Sequence, residues 1–320
     1  MNERLLNYIE SSFLSPLLDK EGITDISYNG KSIFYMHNIN GRKKSDIEIT
    51  NNEVLDFLRQ IANYAERQFS YTTPFLDISV GRYRINAVHP SICRVNNEKS
   101  CSFAIRIGSE KLLITDDFKF IDEECRKYLF KALENEQSIV IAGATGSGKT
   151  ELQKYLLSNL KDNSRVIVID NIEELENVRF NDQIDLTSWL VSPNNTTATI
   201  SQLIKNALRS NPDWLVIAES LGSEMADILQ SVTTGHPIIT TIHSYSLESI
   251  PVRMAHMIES TNVSQKYDDI LSDIKSFIKV YVFLKRKIND DGTVFRYVDK
   301  IGEIDENNQM KIIYKRTKKV

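Results

Sequence analysis

The chain has 320 residues, 41% of them hydrophobic and 26% charged, which is long enough for two packed cores. A formal net charge of -4 argues against a surface dedicated to wrapping nucleic acid. No apolar run reaches the roughly 20 residues of a membrane helix, and MNERLLNYIESSF lacks the basic start and apolar core of a signal peptide, so a cytoplasmic protein is expected.

In chain order, ERLLNYIESSFLSPLL reads as a helix, and ITDISYNG and SIFYMHNING as extended runs closed by turns at Asn29-Gly30 and Asn40-Gly41. NEVLDFLRQIANYAERQ is a second helix, and GRYRINAV and SFAIRIG are further strands, so this first block is of α+β type. The polar stretch GSEKLLITDDFK reads as a linker, which places a domain boundary at residue 115 and divides the chain into 1–115 and 116–320. Beyond it strand, loop and helix alternate, the pattern of an α/β domain built on a mostly parallel sheet. Near the end, SFIKVYVFLKRKINDDGTVFRYVDKIGEI folds back at Asp291-Gly292 as an antiparallel hairpin at a sheet edge, and YKRTKKV reads as a solvated basic terminus. Cys93, Cys101 and Cys125 form no C-x-x-C pair and are expected to be reduced structural thiols.

GATGSGKT meets the pattern G-x-x-x-x-G-K-[ST] in full, between the apolar run SIVIA and the helix-like ELQKYLLSNLK. The candidate phosphate-binding residues are Gly143, Ala144, Thr145, Gly146, Ser147, Gly148, Lys149, Thr150 and Glu151. The glycines let consecutive N–H groups and the helix N-terminus point at an anion. Lys149 is placed to reach the β and γ phosphates of ATP, and the Thr150 hydroxyl to ligand Mg²⁺. Leu152, Leu156 and Leu160, at four-residue spacing, give the helix an apolar face for the sheet.

Hydrolysis also needs a carboxylate near the γ-phosphate. In NPDWLVIAES, Glu219 falls at the C-terminal end of a buried-strand pattern, where open α/β sheets place ligands, and is the candidate catalytic base and metal contact; capping the helix near GSEMADILQSV is its alternative role. In RVIVIDNIEEL, Asp170 ends another apolar strand, with Glu173 and Glu174 on the loop beyond; Glu173 reads as solvated, and Glu174 stays a candidate.

RVIVIDNIEEL, LIKNALRSNPDWLVIAES and TTGHPIITTIHSYS follow the P-loop in the order of the acidic, Walker B and histidine boxes of the type II/type IV secretion traffic ATPases, which this chain resembles from about residue 20 onward. The resemblance implies a RecA-like P-loop NTPase domain behind a smaller N-terminal domain, assembled as a homo-hexamer at the cytoplasmic side of a membrane, with the membrane proteins of a secretion, conjugation or pilus apparatus as partners. It implies that His243 senses the γ-phosphate, that His236 matches a further family position, and that Arg84 and Arg106 reach the nucleotide from the N-terminal domain; Arg82 should share the strand face of Arg84. Three departures stand out. Asp170-Asn171 replaces the family's Glu-Asp, Leu221 occupies an arginine position, and the tetracysteine zinc insertion of type II members is absent, which favours the conjugation or tight-adherence pilus branch. An ATP-hydrolysing motor is the reading to test against a nucleotide-gated scaffold with little turnover and a nucleic-acid translocase; direct contact with nucleic acid is not expected.

Overall fold

The computed structural model describes residues 2–109, 111–114, 119–171, 175, 182–191, 198–260 and 265–317. The chain forms two compact units, Met1–Glu110 with Ile288–Phe295, and Lys111–Lys287 with Arg296–Val320.

The first unit begins with α1 (Asn2–Glu10) and α2 (Ser15–Leu18), followed by β1 (Ile23–Tyr28), β2 (Ile33–His37), β3 (Gly41–Lys44), α3 (Asn51–Tyr64), β4 (Phe75–Val80), β5 (Tyr83–Val88), a minor β6–β7 pair (Arg94–Val95, Glu98–Lys99) and β8 (Ser102–Ile107). The helix expected at the N-terminus is thus broken in two. Ser12 donates its hydroxyl to the Ile9 carbonyl at 2.6 Å and accepts the Leu14 amide at 3.2 Å, a local pairing that competes with helical bonds. Pro16 then opens the second helix, where its missing N–H costs nothing. Six strands pair antiparallel in the order β3-β2-β1-β8-β5-β4. On α3, Val54, Phe57, Leu58 and Ile61 face the core, and a Thr50–Glu53 capping box fixes where the helix starts.

The second unit carries α4 (Glu123–Glu134), β9 (Ile139–Gly143), α5 (Lys149–Leu157), β10 (Arg165–Asp170), β11 (Asp185–Leu190), α6 (Ile200–Ala207), β12 (Trp214–Ile217), α7 (Met225–Thr233), β13 (Ile238–Ile242), α8 (Ile250–Glu259), α9 (Tyr267–Phe277), β14 (Val280–Ile288), β15 (Val294–Ile304) and β16 (Met310–Lys315). Its sheet runs β11-β10-β12-β13-β9-β14-β15-β16, with β11 through β14 in parallel register. Every residue of β9, β12 and β13 is buried, as expected for strands covered by helices on both faces. Leu152, Leu156 and Leu160 all enter the core on one side of that sheet, so the apolar stripe read from the sequence seats α5. The expected C-terminal hairpin is present, but it is not the sheet edge. β16 pairs antiparallel with β15 and is the edge, and its Tyr314 is buried with its hydroxyl donating to Asp122 Oδ2 at 2.6 Å. Part of the terminus read as solvated is therefore a strand.

Leu156 is fully buried, and Leu156→Ala is expected to cost about 2–5 kcal/mol in urea unfolding, with an unchanged denaturant slope. Cys101 and Cys125 are buried; burial pushes the Cys101 thiol up to about 11 and the Cys125 thiol higher still, whereas Cys93 is part-exposed. In the native protein at neutral pH a thiol reagent should label Cys93 promptly and the other two only after denaturation; prompt labelling of all three would contradict this packing.

Candidate active site

Parallel pairing carries the ends of β9, β12 and β13 to one edge of the sheet. β9 lies between β13 and β14, so the loop that follows it emerges from the middle of the sheet. Gly146 and Gly148 there hold φ of +71° and +96°, a left-handed backbone that L side chains rarely adopt. Gly148 is also the N-cap of α5 and offers no side-chain cap, so the amides of the first helical turn face the loop's concavity, as an anion site requires.

Lys149 is buried, and its Nζ lies 3.3 Å and 3.4 Å from the Gly143 and Ala144 carbonyls and 3.4 Å from His243 Nδ1. The other imidazole nitrogen, Nε2, lies 2.9 Å from Glu219 Oε1. A carboxylate can only accept and an ammonium can only donate, so the geometry assigns the proton to Nε2 and leaves Nδ1 as acceptor from Lys149. Glu219, His243 and Lys149 thus form one chain of contacts. Glu219 is not the cap of α7: the neighbouring Glu224, buried, uses Oε1 to accept the amides of Leu221 and of Gly222, the latter at 2.9 Å.

Side chains that the sequence reading passed over hold this chain in place. The Thr241 hydroxyl donates to the Ala218 carbonyl at 2.8 Å, Ser220 Oγ lies 2.9 Å from Thr240 Oγ1, and the Ser220 amide donates to the Thr241 carbonyl. Gln153 of α5, fully buried, donates from Nε2 to the carbonyls of Ile217 at 2.8 Å and Ile239 at 3.2 Å. The signal for all four was polar chemistry inside otherwise apolar runs, a pattern that demands a partner when buried.

Of the remaining candidates, Asp170 is fully buried at the end of β10 and accepts the Leu175 amide at 2.9 Å. Glu174 lies outside the described residues. Glu151 pairs with the buried Lys154 at 3.2 Å, while Ala144 and Thr145 are exposed, Ser147 is buried and Thr150 is half-buried. His236 precedes β13 and His243 follows it, so the two histidines stand at opposite edges of the sheet, about 20 Å apart at strand spacing.

In the first unit, Arg84 on β5 pairs in register with Arg106 on β8, with Asp77 3.9 Å from the first and Asp25 3.7 Å from the second. Arg82 does not share their setting. It lies in the turn before β5, where it donates to the Tyr83 hydroxyl at 3.1 Å, lies over the Tyr83 ring and reaches the Leu18 carbonyl at 3.4 Å.

Comparison with known proteins bears on the family and the fold. A family model described as type II/IV secretion system protein matches residues 99–285. An uncharacterised Bacillus anthracis protein is 29% identical over 89% of this chain and 66% of its own length. The type IV secretion system protein VirB11 of Bartonella henselae is 24% identical over 85% of this chain and 87% of its own. Among solved structures, the ATPase DotB of Legionella pneumophila superposes with a TM-score of 0.67 over 95% of this chain and 81% of its own, and at 19% identity that likeness speaks to the fold.

Thr241→Val keeps the side-chain shape and removes the hydroxyl that the Ala218 carbonyl accepts from. It is expected to cost about 1–3 kcal/mol, read as a lower urea midpoint; an unchanged midpoint would show that this bond does not hold the β12 end to β13.

Proposed function

The chain belongs to the type II/IV secretion system protein family, and on that premise we propose that it is an ATP-hydrolysing motor of a type IV secretion, conjugation or pilus-assembly apparatus. The observation that carries this reading is the Glu219–His243–Lys149 chain at the edge where the phosphate loop emerges. Lys149 reaches loop carbonyls and an imidazole, and a polyphosphate entering the loop offers its ammonium a charged acceptor as well. His243 Nδ1 loses its donor when the ammonium turns to the phosphate. The imidazole can reorganise while its Nε2–H still holds Glu219, which couples the filling of the phosphate site to the aim of the carboxylate.

Glu219 uses Oε1 for His243 and is placed to take a water proton as general base. Mg²⁺, held by Thr150 and the phosphates with Glu219 close by, would neutralise charge developing on the transferred group. The buried Ser147 hydroxyl, without a hydrogen-bond partner among the described residues, and the α5 N-terminus without a side-chain cap fit such a guest. Arg84 and Arg106 are proposed to add cationic charge from the first unit. Conversion of turnover into work is proposed to occur in a homo-hexameric ring at the cytoplasmic face of a membrane, docked on membrane proteins. In keeping with a peripheral role, no described helix is long and apolar enough to cross a bilayer.

One observation favours a second reading, a nucleotide-gated ring with little turnover. Asn171 supplies an amide where the family carries a carboxylate, and Leu221, where it carries arginine, is exposed. ATP turnover, measured across concentrations that span assembly and with mass determined in parallel, separates the two. For the motor, Glu219→Gln is expected to keep nucleotide binding and lose about 100- to 10,000-fold in turnover, and Lys149→Ala to lose binding. Wild type that assembles and binds ATP without turnover would establish the scaffold instead.

A further inference from the structure

The strands beyond the phosphate loop carry a second set of cations. On β14, Val280, Val282 and Leu284 point into the core that α5 covers, and alternation puts Arg286 on that same face. Leu284 is paired with Gly143, the last residue of β9, so the strand passes the sheet edge before reaching Arg286. The row changes from apolar to cationic where it comes alongside the loop. β15 repeats the pattern, with Val298 in the core and Arg296 two residues nearer the loop.

Both side chains arrive at the loop. Arg296 Nε donates to the Gly146 carbonyl at 2.7 Å, and its Cδ lies 3.8 Å from where a Cβ on Gly148 would stand. A Cβ on Gly146 would lie 3.0 Å from Arg286 Nη1. Lys285, next to Arg286, is paired with Asp299 at 3.1 Å, whereas Arg286 is exposed and makes no hydrogen bond or ion pair among the described residues. Lys149, Arg286 and Arg296 therefore place three positive charges around one short loop. Such a cluster of cations favours a polyanion.

Resting on the nucleotide reading above, we infer that Arg286 is a direct contact for the nucleotide polyphosphate and that Arg296 is a positioning residue, holding the Gly146 carbonyl outward so that the loop amides face the phosphates. Arg296 needs its planar fork for this, since its Nε–H makes a short charge-assisted bond to a carbonyl. Arg286 needs mainly its charge.

Titration of the full chain with mant-ATP and mant-ADP, together with steady-state turnover, tests both roles. Arg286→Ala is expected to weaken mant-ATP binding about tenfold at an unchanged melting temperature, with the deficit shrinking as salt is raised, and Arg286→Lys to recover most of it. Arg296→Ala is expected to weaken both analogues equally and to lower kcat at saturating ATP, and Arg296→Lys not to rescue. If wild type binds while Arg286→Ala stays within twofold of it, the contact is overturned; if Arg296→Lys restores binding and kcat, the positioning role is. Wild type that binds neither analogue would remove the nucleotide reading itself and this inference with it.

Discussion

Strands β9, β12 and β13 are parallel and buried on both faces, so a side chain reaches solvent from them at their ends, and parallel pairing gathers the three carboxyl ends at one edge. The candidate site residues are thereby gathered on a narrow rim. Glu219 leaves the end of β12 and His243 the end of β13, with register that pairs Ile217 to Thr240 just below them. The phosphate loop leaves β9 on the far side of β13. His243, emerging from the middle strand of the three, is the residue able to touch both neighbours, and it does.

Under that rim lies a layer of buried polar groups that a purely apolar core would not contain. Gln153, Ser220, Thr240 and Thr241 each have a hydrogen-bond partner on an adjacent element. Their net contribution to stability is modest, because folding exchanges water for protein partners. What they add is registration, since a satisfied buried bond tolerates few alternative arrangements. Gln153 shows this most directly: it ties the helix that starts at Lys149 to the strands that end near Glu219 and His243, so a shift of any one is felt by the others.

The candidate phosphate loop and its setting between β9 and α5 were legible in the sequence because the pattern is local, with glycines, lysine and threonine at fixed offsets between a strand and a helix. Glu219 was legible one step less directly, through its place at the end of an apolar run. The Glu219–His243 contact was not, because it depends on β12 and β13 being neighbours in a given register, which no local pattern encodes. His243 was reached through family resemblance, and the same resemblance offered His236, which the fold places at the other edge of the sheet. Arg286 and Arg296 escaped notice because cations alternating on a terminal hairpin look like solvent-facing decoration until the loop they touch is in view. β16 was missed for a similar reason: basic residues surrounding Tyr314 hid a strand whose inward positions are few. Arg82 deviated from alternation because it belongs to a turn, where the period of a strand no longer applies.

The Arg84–Arg106 pair sets two cations side by side on one face of the first unit's sheet. Like charges in register across strands repel, and here each leans on an exposed aspartate at close to 4 Å. Surface ion pairs of this kind contribute about 0–1 kcal/mol, so exchanging either aspartate for another anion starts from a nearly level position. Weak, solvent-screened pairing of this kind therefore sets the charge of this sheet face more than its stability.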